Sequence, residues 1–294
     1  MIRRRKFLLK LPSRTLELGE RTLVMGVLNV TPDSFSDGGL YANSDRAIAH
    51  ALAMQEAGAD LIDIGGESTR PGSEGISGEE ELRRVLPVLE GLRFKLRVPV
   101  SIDTQKAEVA EAAAAAGAEM VNDISGLRSD ARIAEVARKR KLPLVLMHIR
   151  GTPRTMQKRP FARDVLRDVA AGLRAAIARA TRVGVPRSQV ILDPGIGFGK
   201  SFQQNYELLA RLPELARLGC PLLVGTSRKA FLGATLAREG HRVPPEERIW
   251  GTAATVAASI LGGAHIVRVH DVSEMVQIVR VADCILNPHL APKA

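Results

Sequence analysis

The chain has 294 residues, of which 45% are hydrophobic and 25% charged, a composition typical of a folded globular protein and not of a disordered one. The net charge of +10 would suit a nucleic-acid partner, but most basic residues are scattered among acidic ones, and aromatic residues, on which bases could stack, make up only 3%. Composition therefore argues against nucleic acid as the partner, and no apolar run reaches the roughly 18 to 20 residues that cross a bilayer.

Two cysteines, Cys220 and Cys284, are present. Neither lies in a spacing typical of metal ligands, and two unpaired thiols suit a reducing compartment. The basic N-terminus is followed by an apolar run that Lys10 and Pro12 interrupt, which leaves it too short for a signal peptide. We therefore expect a cytoplasmic protein.

The first element in chain order is a predicted hairpin. Residues 6–11 and 15–18 read as two short strands that precede the first long apolar strand. We expect residues 1–20 to form a hairpin that plugs the bottom of the main fold.

The rest of the chain repeats one pattern eight times: a short apolar strand, a polar or Gly-rich loop, and an amphipathic helix. Such alternation predicts a parallel sheet covered by helices, either open and doubly wound or closed into a barrel. Eight uninterrupted units in a chain of this length favour a single (β/α)8 TIM barrel domain spanning residues 1–294. The predicted strands are 24–29, 59–64, 98–103, 120–122, 142–148, 190–193, 222–225 and 264–269. The predicted helices are 44–57, 78–94, 106–116, 131–140, 161–183, 206–218, 247–261 and 273–286.

Each predicted strand ends in polar or ionisable residues after an apolar body. One such residue alone is more typical of a helix cap, but the carboxyl ends of barrel strands meet at one rim, where the active sites of this fold lie. A buried polar ring without a ligand would be costly, so we expect a ligand there. The residues at or just after these ends include Asn29, Asp63, Asp103, Asn122, Met147, His148, Asp193, Ser227, Arg268 and His270.

One half of this ring could read the edge of a planar heterocycle. A carboxylate of Asp103 or Asp193 can accept hydrogen bonds from an amino group and an adjacent ring N–H, and Asn122 supplies one donor and one acceptor. Lys229 completes this set. Ion pairing of the two aspartates with Lys229 is the alternative explanation, and it does not exclude a site.

The other half is cationic. Arg70, Arg268 and His270, with Gly225 close to a helix start, form a set suited to an anion such as phosphate. Asn29 offers an oxygen ligand for a Mg²⁺ ion carried by a phosphorylated substrate.

Three loops on the same rim are rich in glycine. The loops after the first and second strands are long and mix Gly, Pro and Ser with charged residues, which is typical of mobile lids. The loop 193–200 has neither the Walker A spacing nor the dinucleotide-binding pattern.

Taken together, these motifs resemble the dihydropteroate synthase family, one motif per strand and in order, from Met25 almost to the end of the chain. The matching stretches are MGVLNVTPDSFSDGG (25–39), DIGGESTRPG (63–72), SIDT (101–104), NDIS (122–125), LMH with GTP (146–148 and 151–153), DPGIGFGK (193–200), SRK (227–229) and RVHDV (268–272).

The resemblance implies condensation of 7,8-dihydropterin-6-ylmethyl diphosphate with 4-aminobenzoate, which releases diphosphate and forms 7,8-dihydropteroate in folate biosynthesis. It implies Mg²⁺ as the cofactor, ligated by Asn29, and a homodimer. The implied catalytic residues are Asn29, Asp103, Lys229, Arg268 and His270.

The same resemblance assigns the substrate contacts. The pterin ring would be held by Asp103, Asn122, Asp193 and Lys229, and the diphosphate would lie near Thr69, Arg268 and His270. The mobile loops that complete the 4-aminobenzoate pocket would contribute Asp33, Phe35, Asp37 and Pro71. The remaining substrate-binding residues are Arg70, Met147, Phe198 and Gly225.

Two alternatives share the same pterin pocket. A pterin-binding methyltransferase domain would have no diphosphate to bind, so the residues 268–270 and the Asn29 loop favour the synthase. A non-catalytic pterin-binding barrel would keep affinity without turnover. One departure from the family is Ala230, where many members have a serine that helps to hold the 4-aminobenzoate carboxylate; losing that hydroxyl removes about 1 kcal/mol of hydrogen bonding.

Overall fold

A computed structural model of the chain describes residues 4–31, 40–70, 72–156 and 163–292. An antiparallel hairpin precedes eight parallel strands that alternate with helices. The hairpin strands are β1 (Phe7–Lys10) and β2 (Thr15–Leu18). The barrel strands are β3 (Leu23–Asn29), β4 (Leu61–Gly65), β5 (Val100–Asp103), β6 (Met120–Asp123), β7 (Leu144–Met147), β8 (Val190–Asp193), β9 (Leu223–Val224) and β10 (Ile266–Val269).

Helices follow the barrel strands and cover their outer faces. They are α1 (Leu40–Glu56), α2 (Gly78–Leu92), α3 (Ala107–Ala115), α4 (Ile133–Arg140), α5 (Val165–Arg182), α6 (Phe202–Ala210), α7 (Leu212–Ala216), α8 (Ala230–Thr235), α9 (Ile249–Leu261) and α10 (Val272–Leu286). None of them, within the described ranges, has the length and apolarity that a bilayer crossing requires.

The strand order confirms the predicted barrel. The strands lie side by side in the order β8-β7-β6-β5-β4-β3-β10-β9, all parallel. A single bridge between Leu192 of β8 and Leu222, just before β9, joins the two ends of the sheet. The hairpin is a separate two-stranded sheet, also as predicted.

The prediction was wrong in two places between β8 and β10. The single helix 206–218 is two helices, because Ser201 forms a capping box with Gln204 that starts α6 early, and Pro213 lies in the first turn of α7, where its missing N–H forces a new helix start. Short helix α8 was not predicted at all. The other predicted ends differ from the structure by at most four residues.

The alternation of side chains along each strand divides the barrel into an outer and an inner face. Residues such as Ile62, Ile102 and Leu146 pack outward against the helices in the main apolar core. Their neighbours face inward. We call the inner set nearest the hairpin the lower layer; it consists of Met25, Leu61, Met120, Val145, Ile191, Leu223 and Ile266.

The hairpin closes the bottom of the barrel. Leu9, Leu11 and Leu18 are buried in the same cluster as the lower layer. A buried Arg4 lies 2.6 Å from the Asp283 carboxylate of α10 and donates to the Ala264 carbonyl at 3.0 Å. The hairpin is therefore held both by apolar packing and by a buried ion pair.

Two residues further along the strands from β4 to β10, five of the seven inward residues are polar or charged. We call this set the upper layer; it consists of Asp63, Asp103, Asn122, Met147, Asp193, Gly225 and Arg268. Most of these side chains are buried although they carry charges or amides. The upper layer lies at the carboxyl ends of the strands, where the sequence predicts the site.

Candidate active site

Arg268 lies at the centre of the upper layer. Its Nε donates to Asp63 Oδ2 at 2.6 Å and an Nη2 hydrogen donates to Asp103 Oδ2 at 2.8 Å. Both carboxylates are buried. Asp103 therefore pairs with Arg268, and within the described ranges no carboxylate lies within 4.0 Å of the Lys229 ammonium, so the alternative of pairing with Lys229 is wrong.

The predicted separation into a heterocycle half and an anion half is not complete, because Arg268 joins them. It was assigned to the anion half, yet it binds Asp103 of the other half. Nη1 of Arg268 has no partner within the described ranges, which leaves donors for a ligand.

Asn122 carries an acceptor that the described residues leave unused. Its Nδ2 donates to Asp63 Oδ2 at 2.9 Å, but its Oδ1 is buried without a hydrogen-bond partner among the described residues, as is Oδ1 of Asp63. A buried acceptor without a donor costs about 1 to 3 kcal/mol. A ligand N–H would remove that cost at Asn122.

Asp193 ends β8, two strands along the barrel from Asn122 on β6. Its Oδ1 accepts the Gly195 N–H at 2.7 Å, which leaves the second oxygen available. Gly195 has a φ of 66°, and a Cβ there would lie 2.0 Å from the His148 carbonyl oxygen, so only glycine fits the turn. Burial raises the pKa of Asp193 to about 6.

Lys229 and Phe198 form the wall beside Asp193. The Lys229 ammonium lies 4.0 Å from the centroid of the Phe198 ring, a cation–π contact. Gly197, with a φ of 84°, leaves room for the Lys229 stem, because a Cβ there would lie 3.0 Å from Lys229 Cδ. Burial and the nearby Arg268 lower the pKa of Lys229 to about 8.

A small apolar cluster lines this wall and gives a planar ring a surface to stack on. Phe198 and Met147 belong to it, and both are buried. The other members are Ile124, Ile149 and Met156. The upper layer thus offers hydrogen-bonding edges at Asn122 and Asp193 and an apolar face beside them.

The turn after β9, which determines the positions of Ser227 and Lys229, has a strained backbone at Arg228. Arg228 has a φ of 58°, in the left-handed region that a non-glycine residue adopts at a cost of about 1 to 3 kcal/mol. The Arg228 side chain pairs with Asp271 after β10, its backbone N–H donates to Thr252 at 3.2 Å, and Arg248 donates to its carbonyl at 2.7 Å. These contacts hold Ser227 and Lys229 in place.

His270 is oriented by Ser227. The His270 backbone N–H donates to Ser227 Oγ at 3.2 Å, and that hydroxyl lies 3.0 Å from His270 Nδ1. The hydroxyl hydrogen is available to donate to Nδ1, and that arrangement would place the ring proton on Nε2. Burial and the neighbouring Arg268 lower the pKa of His270 to about 3, so the ring is a neutral N–H donor.

The remaining predicted residues within the described ranges are Asn29, Thr69, Arg70 and Gly225. Asn29 ends β3 half-buried, and its side chain makes no hydrogen bond to another described residue. Thr69 is half-buried and Arg70 is exposed. Gly225 lies against Arg268, since a Cβ there would be 3.6 Å from Arg268 Cβ. Four predicted residues lie outside the described ranges: Asp33, Phe35, Asp37 and Pro71.

The loop that carries Thr69 and Arg70 is anchored by charged residues behind it. Lys106 Nζ lies 2.7 Å from Glu67 and 2.6 Å from the fully buried Glu81 of α2. This loop is therefore fixed at its base.

Sequence reasoning left two contributors without a role. Asp63 was noted as a strand end, but nothing in a single sequence indicated that it would bind Arg268 from 205 positions away. Ser227 follows the seventh predicted strand, but nothing in the sequence indicated that it would contact His270. The regular spacing of polar strand ends was the signal for both, because every such end in a barrel points to one rim.

A model of the pterin binding enzyme family matches residues 25–270. The chain is 52% identical over 267 residues to the dihydropteroate synthase of Synechocystis sp., with 91% of each protein covered. Its structure is similar to that of the Xanthomonas albilineans dihydropteroate synthase with 4-aminobenzoic acid, with a TM-score of 0.88, 42% identity, and 98% of this chain and 100% of the other covered. It is also similar to the complex of dihydropteroate synthase from the same organism with 7,8-dihydropteroate, with a TM-score of 0.85, 41% identity, and 97% and 100% covered.

Proposed function

The chain belongs to the pterin binding enzyme family, among the dihydropteroate synthases, and we propose that its upper layer and mouth carry out the dihydropteroate synthase reaction. In this reaction 7,8-dihydropterin-6-ylmethyl diphosphate and 4-aminobenzoate form 7,8-dihydropteroate and diphosphate. The chain is therefore a transferase of folate biosynthesis.

The observation that carries the site assignment is a pair of acceptors at one end of the barrel that the described residues leave available: the buried Oδ1 of Asn122 on β6 and the second carboxylate oxygen of Asp193 on β8. A pterin edge has an amino group and a ring N–H next to each other. Asp193 accepts both, and Asn122 accepts a third N–H. Met147 and Phe198 cover the faces of the ring, and Lys229 donates to a ring acceptor.

The diphosphate end lies toward β3, β4 and β10. Arg268 has N–H groups left after binding its two carboxylates, and neutral His270 donates from Nε2. Thr69 and Arg70 approach from the loop after β4. These donors stabilise the charge that grows on the diphosphate as its bond to the pterin methylene breaks.

Asn29 fits a Mg²⁺ ion that is bound mainly by the diphosphate. Its carbonyl oxygen is uncommitted among the described residues, and those residues contain no cluster of three His, Cys, Asp or Glu side chains that could cage a metal by itself. Magnesium keeps few protein ligands when a phosphate supplies the rest, and it would neutralise the leaving group.

The chain's own residues handle the rest of the reaction. The pterin ring stabilises positive charge on its exocyclic methylene, so the bond to diphosphate can break before the amine attacks. Asp103 lies next to Arg268 in this region, and burial together with Asp63 raises its pKa. The arylamine attacks the methylene carbon without prior deprotonation, and the N–H proton that it then loses can be accepted by the released diphosphate.

The direct test is an assay for diphosphate release with both substrates and Mg²⁺. We expect release that requires 4-aminobenzoate and that stops on addition of a chelator. Release without the amine would indicate a hydrolase. Binding of the pterin diphosphate without any release would indicate a non-catalytic barrel, and the methyltransferase alternative predicts no use of the diphosphate at all.

A homodimer is part of the same proposal. The adjacent helices α9 and α10 present large apolar side chains to solvent, with Trp250 77% exposed and Val281 64% exposed. Leu261 of α9 and Ile285 of α10 are also exposed and enlarge this apolar surface. We expect a dimer by sedimentation and a monomer after Val281→Arg; a monomeric wild-type protein would contradict this part.

Two further expectations belong to this proposal. Residues 1–294 form one domain, supported by the hairpin sharing the core of the lower layer. The enzyme acts in the cytoplasm, supported by two free cysteines, Cys220 and Cys284.

A further inference from the structure

Lys200 is a buried lysine for which the reaction above has no use. It ends the loop that begins at Asp193, and only 3% of it is exposed. A buried ammonium is costly unless its hydrogens are all bound. The hydrogen-bond acceptors of Lys200 therefore show which parts of the chain it connects.

The Lys200 ammonium has one acceptor for each of its three hydrogens. It donates to the carbonyl of Phe198 at 2.9 Å, to the carbonyl of His148 at 2.9 Å, and to His148 Nδ1 at 3.1 Å. Burial lowers the pKa of Lys200 to about 7, and the three acceptors favour its protonated form. They come from two loops, the one after β8 and the one after β7.

The His148 ring is in turn held from the other side. Its Nε2 lies 3.5 Å from Asp168 Oδ2 of α5, and Arg150 pairs with the same carboxylate. The ring packs on Gly172, where a Cβ would lie 2.4 Å from His148 Cδ2. Burial and the nearby Lys200 lower the pKa of His148, so the ring stays neutral and Nδ1 can accept.

Both residues that bind Lys200, Phe198 and His148, are connected to the pterin wall, by which we mean Phe198, Lys229, Met147 and Asp193. The Phe198 carbonyl belongs to the residue whose ring lies beneath Lys229. The His148 backbone N–H donates to the Asp193 carbonyl at 2.9 Å, and Met147 precedes it on the strand. Lys200 thus touches none of the proposed substrate atoms, but it fixes the backbone of residues that do.

We infer that Lys200 is a positioning residue of the pterin pocket, whose ammonium ties the Phe198 loop to the end of β7 and so sets the Phe198 ring under Lys229 and against the ligand. This inference rests on the proposed function, because it names the pterin side of that site. The inference does not involve the contacts to the diphosphate or to 4-aminobenzoate, because the proposed residues for those contacts belong to other strands.

The test is Lys200→Met, which keeps an unbranched side chain, one heavy atom shorter, and removes the three N–H groups. We expect the KM for the pterin diphosphate to rise at least about tenfold, the loss that removing a charged hydrogen bond produces. We expect kcat and the KM for 4-aminobenzoate to change less than about threefold. Direct titration of the pterin diphosphate, followed by its own fluorescence, should show the same loss of affinity.

A matched control removes a buried cation at the opposite end of the barrel. Arg4→Met breaks the ion pair with Asp283 and a bond to a backbone carbonyl, so it lowers stability without touching the pterin wall. We expect its pterin KM to stay within about twofold of the wild type. Equal increases in pterin KM for Arg4→Met and Lys200→Met would mean that loss of stability is the cause, and would overturn the inference.

Lys200→Gln covers the case in which the methionine variant does not fold. The amide keeps two N–H donors without the charge, so we expect a pterin affinity between those of the wild type and Lys200→Met. If Lys200→Gln folds and Lys200→Met does not, we expect the pterin affinity of Lys200→Gln to be clearly below that of the wild type. Wild-type pterin affinity in a folded Lys200→Gln or Lys200→Met protein would overturn the inference alone. Failure of the wild-type enzyme to bind the pterin diphosphate would instead overturn the proposed function.

Discussion

The two layers of the barrel interior lie two residues apart along the same strands, and they follow opposite rules. In the lower layer, Leu61, Met120 and Ile191 pack with the hairpin, and their burial stabilises the fold. In the upper layer, the next inward residues are Asp63, Asn122 and Asp193, so the same positions on the pleat bury charges and amides.

The difference shows which part of the barrel serves stability and which serves binding. Apolar side chains fill the lower layer without needing specific partners. The upper layer holds acceptors that the described residues leave unpaired and carboxyl groups whose pKa values burial raises. Such an arrangement destabilises the empty protein, and a ligand with complementary N–H groups removes the cost.

Arg268→Ala should have the largest effect, because it leaves Asp63 and Asp103 buried without their cation. Removing one partner of a buried ion pair costs about 3 to 5 kcal/mol, and turnover should also be lost. Denaturant unfolding and the diphosphate-release assay measure both. If unpaired charge is the cause, adding Asp63→Asn and Asp103→Asn should restore much of the stability but none of the activity; no recovery would mean that lost packing dominates.

Leu61→Ala should separate the two layers. It opens a cavity among the lower-layer side chains, which lowers the unfolding free energy by about 2 to 5 kcal/mol. The KM values of the folded variant at 25 °C should stay within about twofold of the wild type, since no proposed ligand contact is altered. A large increase in pterin KM would show that the lower layer also shapes the site.

The pH dependence of the empty protein should reveal the cost of Asp193. Its carboxyl group has a pKa of about 6 in the folded protein, against an ordinary value of 3.8. The folded state therefore binds more protons between pH 4 and 6, so stability falls as the pH rises through that window. Pterin affinity should change in the opposite direction, rising from pH 5 to 7 as the carboxylate forms. Urea unfolding and pterin titration at each pH measure the two trends, and parallel trends would contradict the assignment.

Ala230→Ser should give the smallest effect. Ala230 is exposed at the first position of α8, directly after Lys229. A hydroxyl there adds about 1 kcal/mol of hydrogen bonding to the 4-aminobenzoate carboxylate, which would lower the KM for that substrate several-fold and leave the pterin KM unchanged. An unchanged KM for 4-aminobenzoate would place its carboxylate elsewhere.

Much of this organisation could be predicted from the sequence. The repeated strand and helix pattern predicted the barrel, and the polar strand ends predicted the rim. The pairing within the rim could not be predicted, because whether Asp103 meets Lys229 or Arg268 depends on the tilt and stagger of the strands and not on local spacing. The break between α6 and α7 was missed because the apolar pattern runs through Pro213, and α8 was missed because six residues carry too little periodicity.

The most direct test of the contrast between the layers is the unfolding free energy of Asp193→Asn at pH 7, measured with and without the pterin diphosphate. Replacing the buried carboxylate with an amide should raise the stability of the empty protein by about 1 to 3 kcal/mol, since the ionised group is held against its raised pKa. The ligand should stabilise the wild type and leave the variant unaffected. A variant that is less stable when empty and still stabilised by the ligand would contradict the account.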